Sequence, residues 1–163
     1  DNVLFSHGGL TTDFLKWLDE DLLDAEIDDV IAAVNDASHD FLWNDESPLW
    51  FRPQYETREM FGADTYKQVV GHTPVEKIFE KDGIISTDVF STYRDGRQIG
   101  ESAMIVIDSE TGEYEKIEVM GKWECDSDER TYATIFRYNQ LLNMSRILEQ
   151  VAKFPASMKL KAV

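Results

Sequence analysis

The order of apolar and polar positions predicts short strands separated by helices. A strand is predicted near residues 2–6, because the apolar run of residues 3–5 is followed by a pair of glycines at residues 8 and 9, which is typical of a buried strand that ends in a tight turn. Similar runs predict strands near residues 67–70 and 84–90. Residues 102–107 and 113–120 predict a hairpin that turns at residues 109–112, and residues 94–97 carry an Asp-Gly turn signal. The pattern indicates an α/β protein.

Helical spacing fills the region after the first strand. Thr11 or Thr12 can cap a short helix that turns Phe14, Trp17 and Leu18 to one face. A second helix is predicted to begin at Asp28. Its inward apolar positions are expected to be Val30, Ile31, Val34 and Phe41. Residues 43–65 form an irregular excursion, and residues 129–153 predict a long helix. The expected organisation is one unit over residues 1–163, in which residues 122–163 are a helical extension.

Composition narrows the possible environments and partners. The net charge of −16 argues against nucleic-acid backbones and anionic membranes as partners. The chain has no apolar run of about 18 residues, so no membrane span is expected. Its one cysteine, Cys125, rules out an internal disulfide and favours a cytoplasmic location.

Two of the three histidines follow predicted strands and stand beside glycines. His7 precedes a glycine pair, and His72 follows Gly71. Strand ends are where open α/β sheets collect ligands, and neutral imidazole is the commonest metal-binding side chain. Such histidines can also serve only as hydrogen-bonding groups at the mouth of a sheet. His39 lies on a predicted helix among acidic residues and is not expected to bind metal.

These histidine phrases resemble those of calcineurin-like metallophosphoesterases of the serine/threonine phosphatase type. The resemblance covers residues 2–120 and implies that His7 and His72 bind one metal ion of a two-metal site. The family's other ligands come from GDxHG, GDxxDRG and GNHD or GNHE motifs, none of which occurs here. The chain therefore resembles the C-terminal half of such an enzyme. The family fold is a four-layer α/β/β/α sandwich, of which this chain would provide one mostly β half with flanking helices.

Two further residues fit the resemblance. A Trp-x-Arg phrase often falls between the two histidines in related bacterial and phage proteins, and here it ends at Arg52, which is expected to bind the substrate phosphate. Guanidinium suits this role because its planar donors bind two phosphate oxygens and stay charged. Residues 1–60 carry 15 acidic side chains against three basic ones, so a cation there also has carboxylates to pair with. Asp88 is a candidate for orienting one of the histidines, or it simply ends a strand.

The resemblance implies hydrolysis of phosphate monoesters by a protein that holds two divalent ions, of manganese, iron or zinc. The expected partners are a phosphorylated protein or small molecule and the missing N-terminal half. Because two histidines are too few for tight metal binding, this chain alone is expected to bind metal weakly and to be inactive as an enzyme. The sequence leaves the oligomeric state open.

Other interpretations remain open at this point. A diadenosine-tetraphosphate hydrolase shares the same phrases, so the sequence does not separate a nucleotide substrate from a phosphoprotein. A non-catalytic module that binds a partner through its acidic helices would carry the motifs only as remnants.

Overall fold

The computed structural model describes residues 2–118, and their centre is a four-stranded sheet. Its strands are β1 (Val3–Ser6), β2 (Lys67–Val70), β3 (Phe79–Lys81) and β4 (Ile84–Ser86), in the order β1-β2-β4-β3. Strands β1, β2 and β4 run parallel to one another, and β3 is an edge strand that runs antiparallel to β4. The predicted strands at 2–6 and 67–70 are confirmed. The fold is mixed α/β, as expected, whereas the four-layer sandwich stays a prediction.

A hairpin that the sequence reading overlooked forms the edge of this sheet. Lys81 pairs with Ile84, so the loop between β3 and β4 consists of Asp82 and Gly83 alone. Both have positive φ, 52° and 76°, which is the conformation that an Asp-Gly pair adopts most readily in a two-residue hairpin turn. The predicted strand over 84–90 was too long, because β4 ends at Ser86 and the chain then turns, with the Val89 nitrogen donating to the Thr87 carbonyl.

Helix α1 (Thr12–Leu18) begins where the cap was predicted. Thr11 is its N-cap, and the Thr11 hydroxyl accepts from the Phe14 nitrogen at 3.1 Å. The predicted inward face was partly wrong, because Phe14 and Leu15 are the buried pair and Trp17 is 53% exposed. The helix has only seven residues, so the spacing of its apolar residues does not decide which face is buried. Contacts with the rest of the fold decide it.

Beyond α1, a 3₁₀ helix (Glu20–Asp24) leads to α2 (Ile27–Asn35) and α3 (His39–Leu42). The prediction of one helix running from Asp28 to Phe41 was wrong, since α2 stops at Asn35 and Phe41 lies in α3. Of the expected inward residues, Val30 is fully buried and Ile31 is 42% exposed. The buried core of this helical region consists of Leu10, Phe14, Leu15, Leu22 and Val30.

A second, two-stranded sheet packs against one face of the first. Strands β5 (Ala103–Ile107) and β6 (Tyr114–Glu118) form the predicted antiparallel hairpin, and Gly112 takes the positive φ of 69° that its turn requires. The other predicted turn is also confirmed, with the Gly96 nitrogen donating to the Tyr93 carbonyl. The hairpin contributes Ala103, Ile105, Ile107 and Tyr114 to a core with Val3, Val69 and Ile85.

The opposite face of the sheet carries a buried glutamine, Gln68, that holds the segment between β1 and α1 in place. Gln68 accepts from the Leu10 nitrogen at 2.9 Å and donates to the carbonyls of Leu10 and Phe61 at 2.9 and 3.1 Å. Because β1 and β2 are parallel neighbours, this contact fixes the chain that leaves β1 beside the end of β2. No helix among residues 2–118 is long and apolar enough to cross a membrane. The predicted helix at 129–153 and the extension at 122–163 lie outside the described residues.

Candidate functional site

His7 and His72 meet at the carboxyl ends of two adjacent parallel strands. The pairing of Ser6 with Val70 brings the two strand ends level, and the Gly71 nitrogen donates to the His7 carbonyl at 3.0 Å. The Nδ1 of His72 lies 2.8 Å from the Nε2 of His7, and the ring centroids are 4.6 Å apart at 61°. One of the two nitrogens carries the hydrogen of this bond, so the two imidazoles share a single proton position.

The backbone beside each histidine has an unusual feature: a close contact at Gly8 and a positive φ at His72. The Gly8 nitrogen donates to the Pro48 carbonyl at 2.6 Å, and a Cβ on Gly8 would collide with the backbone of Phe51. His72 has a positive φ of 59°, a conformation that costs a side-chain-bearing residue roughly 1–3 kcal/mol and is concentrated at functional sites. Glycine at residue 8 and strain at residue 72 therefore both serve to place the imidazoles.

Arg52 lies next to the histidine pair, held there by a buried anchor. Phe51 is only 1% exposed, and the adjacent Arg52 reaches Thr73 with its Nη1 3.4 Å from the threonine Oγ1. Within residues 2–118 the Arg52 guanidinium forms no ion pair, although the stretch is rich in carboxylates. Its remaining donors can serve an anionic group.

Burial is the main reason why the pKa of His72 lies below its ordinary value of 6.5. The positive charge of Arg52 and the neighbouring imidazole of His7 lower the pKa further, and the carboxylate of Asp88 partly opposes them. Arg52 and Asp88 are thus close enough to His72 to affect its protonation. The lowered pKa favours the neutral form, which is the form that binds metal.

Asp88 does not hydrogen-bond to either histidine. Its carboxylate accepts from the Ser91 hydroxyl at 2.9 Å and from the Ser91 nitrogen at 3.3 Å, which closes the turn after β4. Its influence on His72 is electrostatic, and its expected orienting role stays a prediction. His39 stands apart from the pair: it stacks on Trp43 with ring centroids 5.3 Å apart, and its Nδ1 lies 3.8 Å from Asp40.

The structure adds residues that the sequence reading did not assign to the site. Trp50 packs edge-on against His72, with centroids 5.5 Å apart at 88°, and Trp43 packs edge-on against Trp50 at 5.2 Å. The Nε2 of His72 and the Oε1 of Gln54 are buried without a hydrogen-bond partner among the described residues. The tryptophan of the Trp-x-Arg phrase was the signal that could have placed Trp50 here.

The two imidazoles fit part of a metal site. Zn–N bonds are about 2.0–2.1 Å, so two nitrogens on one tetrahedral ion lie about 3.3–3.4 Å apart, and the rings, now 2.8 Å apart at these atoms, would have to separate by roughly 0.5 Å to admit the ion. Residues 2–118 hold no group of three or more His, Cys, Asp or Glu side chains placed to surround an ion. The pair can therefore fill two positions of one ion, and further ligands would have to come from elsewhere.

An open cleft of about 570 Å³ lies beside the histidines. His7 and Gly71 form part of its wall, and the rest is mainly apolar, including Phe5, Val34, Leu42 and Leu49. Ser6 of β1 and Val70 of β2 also line the cleft, so it lies at the carboxyl ends of these two strands.

Comparison with known proteins finds one distant structural similarity. No family model and no curated protein sequence matches the chain. One solved structure with some similarity is a cold-active protein tyrosine phosphatase, at 20% sequence identity and a TM-score of 0.38. The similarity covers 71% of this chain and 40% of that one, so the chain spans about two fifths of its length. At this TM-score the likeness identifies neither a family nor an activity.

Proposed function

We propose that this chain supplies His7, His72 and Arg52 to a metal-dependent phosphoesterase that hydrolyses phosphate monoesters. The observation that carries the proposal is the convergence of the His72 Nδ1 and the His7 Nε2 at 2.8 Å. The whole protein would be of the serine/threonine phosphatase type. Its remaining metal ligands would come from an N-terminal half that holds the carboxylate motifs.

Three features of the described residues support this function. The nitrogens that face each other are the Nε2 of one ring and the Nδ1 of the other, so both could bind one ion once the hydrogen that lies between them has left that position. The pKa of His72 is lowered, which keeps the ring ready to bind metal at neutral pH. Arg52 lies beside the pair without an acidic partner among residues 2–118, as a phosphate-binding cation should.

Each residue has a distinct role in the proposed reaction. His7 and His72 would hold one ion through the two nitrogens that now face each other. Arg52 binds two phosphoryl oxygens and stabilises the negative charge that spreads over them in the transition state. Thr73, buried beside His72, positions the guanidinium by accepting from its Nη1. Two divalent ions in the whole protein, of manganese, iron or zinc, would supply Lewis acidity and lower the pKa of the attacking water.

A zinc titration of the full chain tests the metal role. We expect Zn²⁺ to bind weakly and to shift the NMR signals of the His72 Nδ1 and the His7 Nε2, because these atoms face each other. His7→Ala and His72→Ala should each abolish the site. His39→Ala is the matched control and should leave it intact, since His39 stacks on Trp43 away from the pair.

Two outcomes would overturn the proposal. Zinc that binds equally well after His7→Ala and His72→Ala would show that the pair is not a metal site. Loss of binding in His39→Ala alone would place the metal elsewhere. We also expect no turnover of an aryl phosphate by this chain with added manganese, because the other metal ligands and the proton donor for the leaving group are missing. Turnover well above the buffer rate would contradict that.

A further inference from the structure

The two tryptophans beside the histidine pair are exposed although tryptophan has the largest apolar side chain. Trp43 is 62% exposed and Trp50 is 36% exposed. Their rings touch, with centroids 5.2 Å apart at 80°, so they form one surface rather than two isolated residues. Neighbouring exposed aromatic rings often mark a binding surface.

This surface is continuous with the proposed phosphate site. Trp50 contacts His72 at 88°, and His72 contacts His7. On the other side Trp43 carries His39 stacked nearly parallel at 15°. A row of rings therefore runs from His39 through both tryptophans to the two histidines. We call Trp43 and Trp50 the tryptophan corner, because their planes are nearly perpendicular.

Hydrogen bonds hold the backbone of the loop that carries Trp50. Ser47 is fully buried, its hydroxyl donates to the Leu42 carbonyl at 2.7 Å and its carbonyl accepts from the Phe51 nitrogen at 2.8 Å. The Gly8 nitrogen holds the same loop through Pro48. Because the backbone of this loop is already fixed, a ligand that binds there does not have to order it first.

We propose that the tryptophan corner binds the leaving group of the substrate and that this group is an aromatic ring joined directly to the phosphate oxygen. The inference rests on the proposed function, since Arg52 must hold the phosphate. A ring in this corner can lie face-on to one tryptophan and edge-on to the other, the two arrangements that aromatic rings favour. Trp50 touches His72 directly, which leaves the aromatic surface adjacent to the phosphate rather than a sugar's length away.

The discriminating experiment compares phenyl phosphate with cyclohexyl phosphate, which has the same number of carbon atoms in a ring that is not aromatic. Dissociation constants are measured by NMR shift changes on the full chain with Zn²⁺ added. We expect phenyl phosphate to bind about threefold to tenfold more tightly, which is the usual advantage of a packed aromatic pair. Adenosine monophosphate, whose base is separated from the phosphate by ribose, should bind less tightly than phenyl phosphate.

Substitutions locate the effect. Trp43→Leu and Trp50→Leu should remove the preference for phenyl phosphate and leave the binding of cyclohexyl phosphate nearly unchanged, because leucine keeps apolar area without an aromatic face. Trp17→Leu is the matched control, since Trp17 is also exposed but packs on Phe41. It should keep the preference.

The possible failures are distinguishable. Equal affinity for the phenyl and cyclohexyl esters, or a preference that survives both Trp43→Leu and Trp50→Leu, overturns this inference and leaves the proposed function standing. Tighter binding of adenosine monophosphate also overturns it. If none of the esters nor inorganic phosphate binds, and Arg52→Gln changes nothing, the phosphate role of the proposed function has failed and this inference fails with it.

Discussion

Gly8 and Phe51 approach so closely that their backbones leave no room for a side chain on residue 8. A Cβ there would collide with the Phe51 carbonyl oxygen and would lie 3.2 Å from the Phe51 nitrogen. This contact joins the turn that carries His7 to the loop that carries Trp50 and Arg52. The geometry of the whole candidate site depends on it.

Gly8→Ala should therefore lower the free energy of unfolding by about 2–3 kcal/mol, the usual cost of forcing atoms into a packed backbone contact. Urea unfolding of the full chain measures it. Gly71→Ala is the matched control, because a Cβ at residue 71 would meet only the His7 carbonyl at an ordinary 3.7 Å. Equal losses in the two variants would show that the Gly8–Phe51 contact is not tight.

Gln68→Leu should destabilise the fold although leucine is apolar and similar in size. Gln68 is 1% exposed, and its side chain hydrogen-bonds to the backbone groups of Leu10 and Phe61. Leucine leaves these groups buried without partners, at a cost of about 2–4 kcal/mol. The check is the midpoint of urea unfolding at an unchanged slope. A midpoint equal to that of the natural sequence would mean that water replaces the lost bonds.

Arg52→Gln should raise the pKa of His72 toward its ordinary value of 6.5, because one of the charges that lower it is removed. Burial remains, so the pKa should not return fully. NMR titration of the His72 ring protons measures the change. Arg58→Gln is the control, since Arg58 pairs with Glu46 and does not act on His72. An unchanged pKa in Arg52→Gln would place the guanidinium away from the histidine pair.

The ion pair of Glu101 with Lys116 should make stability depend on pH at the acidic end. The Lys116 Nζ lies 2.9 Å from the Glu101 carboxylate, and the hydrogen bond from Lys116 holds the pKa of Glu101 below its ordinary value of 4.5. A lowered carboxyl pKa contributes stability above pH 4.5, and that contribution is lost as the pH falls through the lowered value.

Glu101→Gln should accordingly cost about 0.5–1 kcal/mol at pH 7, a small figure because Lys116 is partly exposed and solvent screens the pair. The difference from the natural sequence should shrink as the pH falls through the lowered pKa of Glu101, because the protonated carboxyl group is neutral like the amide that replaces it. Thermal unfolding of both proteins at neutral pH and at a series of acidic pH values measures the difference. Glu115→Gln, on the same hairpin and exposed, should show no such pH-dependent difference. A cost that stays the same at every acidic pH tested would point to lost packing rather than lost charge.

The sequence by itself determined the elements whose signals are local. The apolar runs located β1 and β2, Thr11 marked the start of α1, and the glycine at residue 112 marked the turn of the second hairpin. It also selected His7, His72 and Arg52, since histidine beside glycine at a strand end and arginine after tryptophan are short-range patterns. Such patterns are legible because turns, caps and strand ends depend on only a few neighbouring residues.

The tertiary structure decided which parts come together and which faces are buried. Only the parallel pairing of β1 with β2 brings His7 to His72, 65 residues later in the chain, and no local signal encodes that pairing. The burial of Leu15 in place of Trp17 likewise depends on what packs against α1. The position of Trp50 beside the site depends on the buried Ser47 and on the hydrogen bond from Gly8 to Pro48. These are long-range contacts, and only the folded chain can form them.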